Sequence, residues 1–150
     1  MFRTLAIVAA TTLALPAFAA DLTATGDAAA GEKAFRQCIS CHVVVDDAGE
    51  KLAGKNGKTG PNLFGIIGGN FGTVDGFRYS DVIKLASAKE DLIVNEEQFV
   101  AYVQDPTAYL REATGDSGRS KMTFKVRKEE DAVNLFAYLA SIATAPDATN

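Results

Sequence analysis

An all-α fold is predicted for this 150-residue chain, and three observations carry the prediction. Four segments open on a capping residue and a fifth carries apolar positions three and four apart, the period of a helix with one buried face. No run of alternating apolar and polar residues of any length marks a strand. Residues 43–79 hold nine of the 13 glycines together with Pro61, so the connections are long, and a loop of that length inside one domain needs something to wrap.

Composition bounds the rest. A chain with 47% hydrophobic and 23% charged residues fits one domain with a core of its own. Two Cys and one His exclude a disulfide-dense scaffold and a zinc site of four Cys/His ligands. A formal charge of -4 and a pI near 5.0 exclude a surface that grips nucleic acid as a whole, because that binding needs a large excess of Lys and Arg.

The first twenty residues read as a leader. Arg3 is followed by an apolar run from Leu5 to Leu15, then Pro16 and the small-residue stretch Ala17-Phe18-Ala19, the layout of a secretory signal with cleavage near Ala19 or Ala20. The run is short of the roughly 20 residues of a spanning helix and has no polar stripe to make it a surface helix of the fold. Residues 21–150 then form a single domain that works in an oxidising compartment outside the cytoplasm.

The elements follow in order. Asp27 caps a helix over DAAAGEKAFRQC, with Ala28, Gly31, Phe35 and Cys38 near one face; Gly31 in its interior implies another backbone packed close. Ser80 is placed to cap DVIKLASAK, and Asn95 to cap EEQFVAYVQ with Glu96 and Glu97 in the first turn. Asp105-Pro106 sets a cap and an N1 proline before TAYLREA. Residues 112–121 are polar and loop-like. Ala132, Leu135, Phe136, Leu139 and Ala140 give the last helix its i, i+3, i+4, i+7, i+8 stripe, and the tail after Ala145 is predicted to fray.

One constellation carries chemistry. Cys38-Ile39-Ser40-Cys41-His42 is C-x-x-C-H, the attachment signature of a c-type haem. Two thiols about one helical turn apart can add to the two vinyl groups along one edge of the macrocycle, and the next residue offers its imidazole to the iron. A thioredoxin-type C-x-x-C would open a helix after a strand; here the motif follows a helix. Gly54-Lys55-Asn56-Gly57-Lys58-Thr59 is no phosphate-binding loop, since Leu52 stands where that motif needs glycine.

With His42 in the fifth position of the iron, the sixth decides the role. An open position allows ligand binding or peroxide chemistry, whereas a second side chain leaves an outer-sphere electron carrier. Removal of the leader leaves one methionine, Met122, in the loop-like run Ser120-Lys121-Met122-Thr123-Phe124. As a thioether ligand it would raise the potential; the alternative is a gap-filling core methionine.

The chain resembles class I cytochromes c, most closely the larger bacterial cytochrome c2 type, from about Gly26 to Ala143. The matching segments are Thr59-Gly60-Pro61-Asn62-Leu63, Gly76-Phe77-Arg78-Tyr79, Tyr102 with Pro106, and Lys121-Met122-Thr123-Phe124. The resemblance implies the cytochrome c fold, about five helices with long loops around one covalent haem c, and a function as a monohaem electron carrier rather than an enzyme. It implies that the Pro61 carbonyl accepts a hydrogen bond from the ligating imidazole, that Tyr79 contacts a haem propionate, and that Tyr102 lies beside the axial sulfur. It implies that the first and last helices cross where Gly31 and Phe35 meet Leu135 and Tyr138. It also exposes a departure: relatives carry a tryptophan near a propionate where this chain has Val94. Residues 43–54 and 112–120 look like insertions relative to short mitochondrial forms.

The family shuttles electrons from a quinol-oxidising cytochrome bc1-type complex to a photosynthetic reaction centre or terminal oxidase. Lys55, Lys58, Arg119, Lys121, Lys125, Arg127 and Lys128 are the candidates for a basic ring around the exposed haem edge, a dipole that steers docking on acidic partners. A monomer is expected.

Overall fold

The structure, a computed structural model, describes residues 22–143. The predicted leader and the tail after Ala145 lie outside the described residues. The helices are α1 (Ala28–Ala34), α2 (Asp81–Ser87), α3 (Glu96–Gln104), α4 (Pro106–Thr114) and α5 (Glu129–Ala143), so the five expected helices are present and the fold is all-α.

Local chemistry explains most of their ends. The Asp27 carboxylate accepts the Ala29 and Ala30 N–H groups, Asn95 accepts that of Gln98, and Asp105 accepts that of Ala108 with Pro106 in the first turn. Each such cap stabilises its helix by about 1 kcal/mol. Ser80 stands at the start of α2 as expected, but its hydroxyl makes no capping bond. Helix α1 stops at Ala34 and continues as a 3-10 turn over Phe35–Gln37, which tightens the chain just before Cys38. Helix α4 runs to Thr114, one residue beyond the expected TAYLREA segment, and ends on Gly115 at φ 74°, where glycine carries no steric cost.

The long connection is not wholly irregular. Val43–Val45 forms β1 and Lys51–Gly54 forms β2, an antiparallel pair with a register shift between Val44 and Val45. Strands of three and four residues are too short to show alternation, which is why the sequence reads as loop there.

The frame is the crossing of α1 with α5. A Cβ built on Gly31 would lie 2.6 Å from the Asn134 carbonyl carbon and 2.7 Å from the Tyr138 Cβ, so only glycine lets the two backbones meet. Beside it the Phe35 and Tyr138 rings sit 5.6 Å apart, and the Asn134 side chain accepts the Asp27 N–H at 2.8 Å. Helix α3 joins the same core through Phe99 and Phe136, 5.7 Å apart. Phe136, Leu110, Leu135, Val44, Val82 and Val126 are fully buried, each adding roughly 1.5–3 kcal/mol of apolar burial.

Candidate functional site

The motif begins where the 3-10 turn ends. The Cys38 carbonyl accepts the N–H groups of Cys41 (3.1 Å) and His42 (2.9 Å), so the three reactive side chains leave one tight turn. The strand that follows is clamped by the loop at Pro61: Gly60 N–H bonds the Cys41 carbonyl and Leu63 N–H the Val43 carbonyl, both at 2.9 Å. The Asn62 side chain doubles the clamp, accepting from Val45 N–H at 2.9 Å and donating to the Val45 carbonyl at 2.7 Å.

This clamp fixes His42. Its Nδ1 lies 2.9 Å from the Pro61 carbonyl, and a carbonyl can only accept, so Nδ1 carries the proton and Nε2 is left with its lone pair. Burial holds the imidazolium form down, with the Pro61 bond working against it. Gly60 closes over the ring: a Cβ there would lie 2.6 Å from Nδ1.

The two thiols differ. Burial, helped by its neighbour Cys41, pushes Cys38 up to about 11. Hydrogen bonds from Thr59, then Ser40, pull the more accessible Cys41 down.

Cys38, Cys41, His42 and Met122 all line one cavity of about 650 Å³, within the range of roughly 300–1,000 Å³ usual for cofactor sites. Its far walls are largely apolar: Phe71, Val94, Phe99, Leu135 and Leu139. Tyr79 and Tyr102 line it too. The Tyr79 hydroxyl accepts the Val74 N–H at 3.3 Å, and burial raises both phenols.

The Met122 loop, lacking helical periodicity, is held at several points. Ser120, the buried polar residue among those described, accepts the Met122 N–H on its hydroxyl at 3.1 Å and is hydrogen-bonded to Tyr102. Its own N–H reaches Thr107 Oγ1 at 3.2 Å. Lys121 donates to the Arg78 carbonyl at 2.5 Å, Lys125 pairs with Asp105 at 2.6 Å, and Val126 N–H bonds the Val103 carbonyl at 2.9 Å. Ser120, Asn62, Thr59 and Gly60 were not assigned these roles from sequence. The first had a signal, a serine two residues before the methionine, the spacing of a hydroxyl that accepts the i+2 N–H.

The donor set suits a macrocyclic iron centre. Among the described residues no group of three or more His, Cys, Asp or Glu could hold a bare ion, whereas an imidazole with a free Nε2, a thioether and two thiols share one apolar cavity. A helical shell around such a cavity, with C-x-x-C-H in its wall, defines a c-type cytochrome.

No protein-family model matches the chain. It is 62% identical over 119 residues to cytochrome c2 of Rhodovulum adriaticum, covering 79% of this chain and 94% of that one. The solved structure of cytochrome c2 from Rhodobacter sphaeroides superposes with a TM-score of 0.77 at 53% identity, covering 81% of this chain and 99% of that one. Ferric cytochrome c-550 from Paracoccus versutus gives a TM-score of 0.72 at 42% identity, covering 79% and 98%. The chain belongs to the cytochrome c2 family. It is an electron carrier, not an enzyme, and its cofactor is one covalently attached haem c.

Val94 gains meaning here. It is 4% exposed and lines the cavity, with its backbone tied to Gly69 (2.8 Å) and Gly68 (3.0 Å). Apart from His42, the charged side chains in that lining are Asp47 and Lys121, so a carboxylate inside meets mostly neutral donors. Desolvation without an indole N–H raises the pKa of such a carboxylate. Its ionisation favours ferric iron, so the potential falls as pH rises through that pKa. Val94→Trp restores a donor and moves the inflection to lower pH; redox titrations across pH check this, and superimposable curves would refute it.

Proposed function

We propose that the chain is a periplasmic monohaem carrier moving single electrons from a quinol-oxidising cytochrome bc1-type complex to a photosynthetic reaction centre or terminal oxidase, once a leader ending near Ala19 or Ala20 is removed. In this reading Cys38 and Cys41 hold haem c covalently, and His42 and Met122 are the axial ligands of its iron. The observation that carries it is the cavity these four residues share. Among the described residues no helix is long and apolar enough to cross a membrane.

The bound haem supplies a one-electron ferric/ferrous couple; the chain sets its surroundings. His42, locked by Pro61, presents a fixed Nε2 and a basicity raised by that bond. Met122 presents a neutral sulfur from a loop anchored through Ser120, which favours the ferrous state and a high potential. The apolar walls keep water out, so little has to reorganise when the charge changes. Phe124 both lines the cavity and is 43% exposed, marking where the cavity meets the surface.

The basic residues divide. Lys55 and Lys58 flank Gly57, whose Cα region packs on Cys41 and His42, and Lys121 lines the cavity. Lys125 faces Asp105, while Arg127 and Lys128 run into the acidic first turn of α5, Glu129, Glu130 and Asp131. Steering therefore rests chiefly on Lys55, Lys58, Arg119 and Lys121. Stopped-flow rates with a bc1-type complex should fall steeply with ionic strength, and more steeply for the native protein than for Lys55→Gln/Lys58→Gln; a flat native profile would sink the proposal.

A further inference from the structure

The loop between β2 and Pro61 runs Lys55-Asn56-Gly57-Lys58, and the haem site gives Asn56 no role. Of the six asparagines in the chain, Asn56 alone precedes a glycine. Asn62, Asn70, Asn95 and Asn134 each precede a residue with a side chain, and each spends its own side chain on a hydrogen bond with backbone. Asn56 is exposed and lies in a bend outside the helices and strands. Its side-chain carbonyl accepts the Lys51 ammonium at 3.0 Å, whereas its NH2 group makes no hydrogen bond among the described residues.

The neighbouring nitrogen is equally free. The Gly57 N–H makes no hydrogen bond among the described residues, and glycine has no side chain to shield it. Position 57 has to be glycine, because a Cβ there would lie 2.6 Å from the Cys41 carbonyl carbon and 2.8 Å from the His42 nitrogen. The charge-assisted bond from Lys51 draws electrons from the Asn56 carbonyl and makes its Cγ a better electrophile. An unshielded nucleophile, a polarised carbonyl and an unbonded leaving group thus occupy two adjacent exposed or half-buried residues.

We propose that Asn56 is a self-modification site, deamidated by attack of the Gly57 backbone nitrogen, and that the product docks more weakly on redox partners. A bond forms between Gly57 N and Asn56 Cγ, the bond from Cγ to Nδ2 breaks, and the Gly57 proton leaves with the amine as ammonia. Water then opens the cyclic imide at either carbonyl, restoring the normal peptide link or leaving one through the side chain. Both products carry one new carboxylate, so the loss of positive charge does not depend on which forms. That carboxylate stands beside Lys51 and between Lys55 and Lys58, where it offsets the field that orients docking. The docking consequence rests on the steering role proposed above for Lys55 and Lys58; the conversion itself does not.

Haem-loaded protein kept for days in neutral buffer at physiological temperature, then digested and mapped by mass, tests the site. The peptide carrying Asn56 should gain the mass of O in place of NH and split into two chromatographic forms, one of them a substrate for isoaspartyl methyltransferase. Asn56→Gln, which would have to close a larger ring, should stay unchanged over the same period, and Lys51→Gln should convert about twofold or more slower. Conversion at Asn56 no faster than at Asn70 or Asn95 would overturn the site, and an equal rate in Lys51→Gln would overturn the part given to Lys51. The purified acidic form and Asn56→Asp, with visible spectra matching native, should each be reduced about twofold more slowly by a bc1-type complex at low ionic strength and at native rates in high salt. Native rates at low ionic strength, beside a steep native salt profile, would overturn the docking consequence alone. A flat native profile would overturn steering itself and that consequence with it, while conversion at Asn56 would stand.

Discussion

Met122→Ala is expected to turn a six-coordinate, low-spin protein into one that binds CO in its ferrous state and loses the weak far-red sulfur-to-iron band of its ferric spectrum. Met122 is the one methionine beyond Met1, and His42 is the only histidine, so no second thioether or imidazole can take over. The methyl side chain of alanine leaves the sixth position to water. Loss of the neutral sulfur removes a preference for ferrous iron, and the potential should drop by something on the order of 100 mV, well inside the ~0.8 V that axial ligands span. The loop itself stays anchored by Ser120, Lys121, Lys125 and Val126, so helical content by circular dichroism should match native. An unchanged far-red band in this variant would show that Met122 is a core filler and not a ligand.

Gly31→Ala is the second large effect, and its sign separates two physical accounts. Helix propensity alone favours alanine by about 1 kcal/mol in a helix interior. Packing opposes it, because the added Cβ would come within 2.7 Å of both the Asn134 backbone and the Tyr138 Cβ, and the obstacle is largely backbone that cannot swing aside. Helices α1 and α5 must separate, loosening the Phe35–Tyr138 contact and the Asp27–Asn134 bond. Overpacking of this kind costs roughly 1–3 kcal/mol and occasionally more, and at roughly 4 °C per kcal/mol for a domain of this size the haem-loaded variant should melt several degrees below native. A higher melting temperature would mean that the helices do not meet at Gly31.

Features decided within a few residues were legible in the sequence. Asp27, Asn95 and Asp105-Pro106 cap where expected because capping is a contact over two or three residues, and Cys38, Cys41 and His42 are chemically legible as one motif. Even Gly31, whose partner lies more than a hundred residues away, announced itself as a glycine inside a helix. The β1–β2 pair did not, since Val43–Val45 is uniformly apolar and its partner is Lys51–Gly54. Gly60 and Asn62 lie in a glycine-rich loop, and only the folded chain shows that one covers the His42 ring and the other clamps Val45. The basic ring was half legible: the charges are in the sequence, but the Asp105 carboxylate facing Lys125 comes from a turn twenty residues earlier.

The account turns on a closed, six-coordinate iron between His42 and Met122, and the spin state of the native ferrous protein at neutral pH tests it most directly. Purified protein, reduced and exposed to CO, should keep a low-spin spectrum with no CO adduct. A five-coordinate, high-spin ferrous spectrum that shifts at once on adding CO would contradict it.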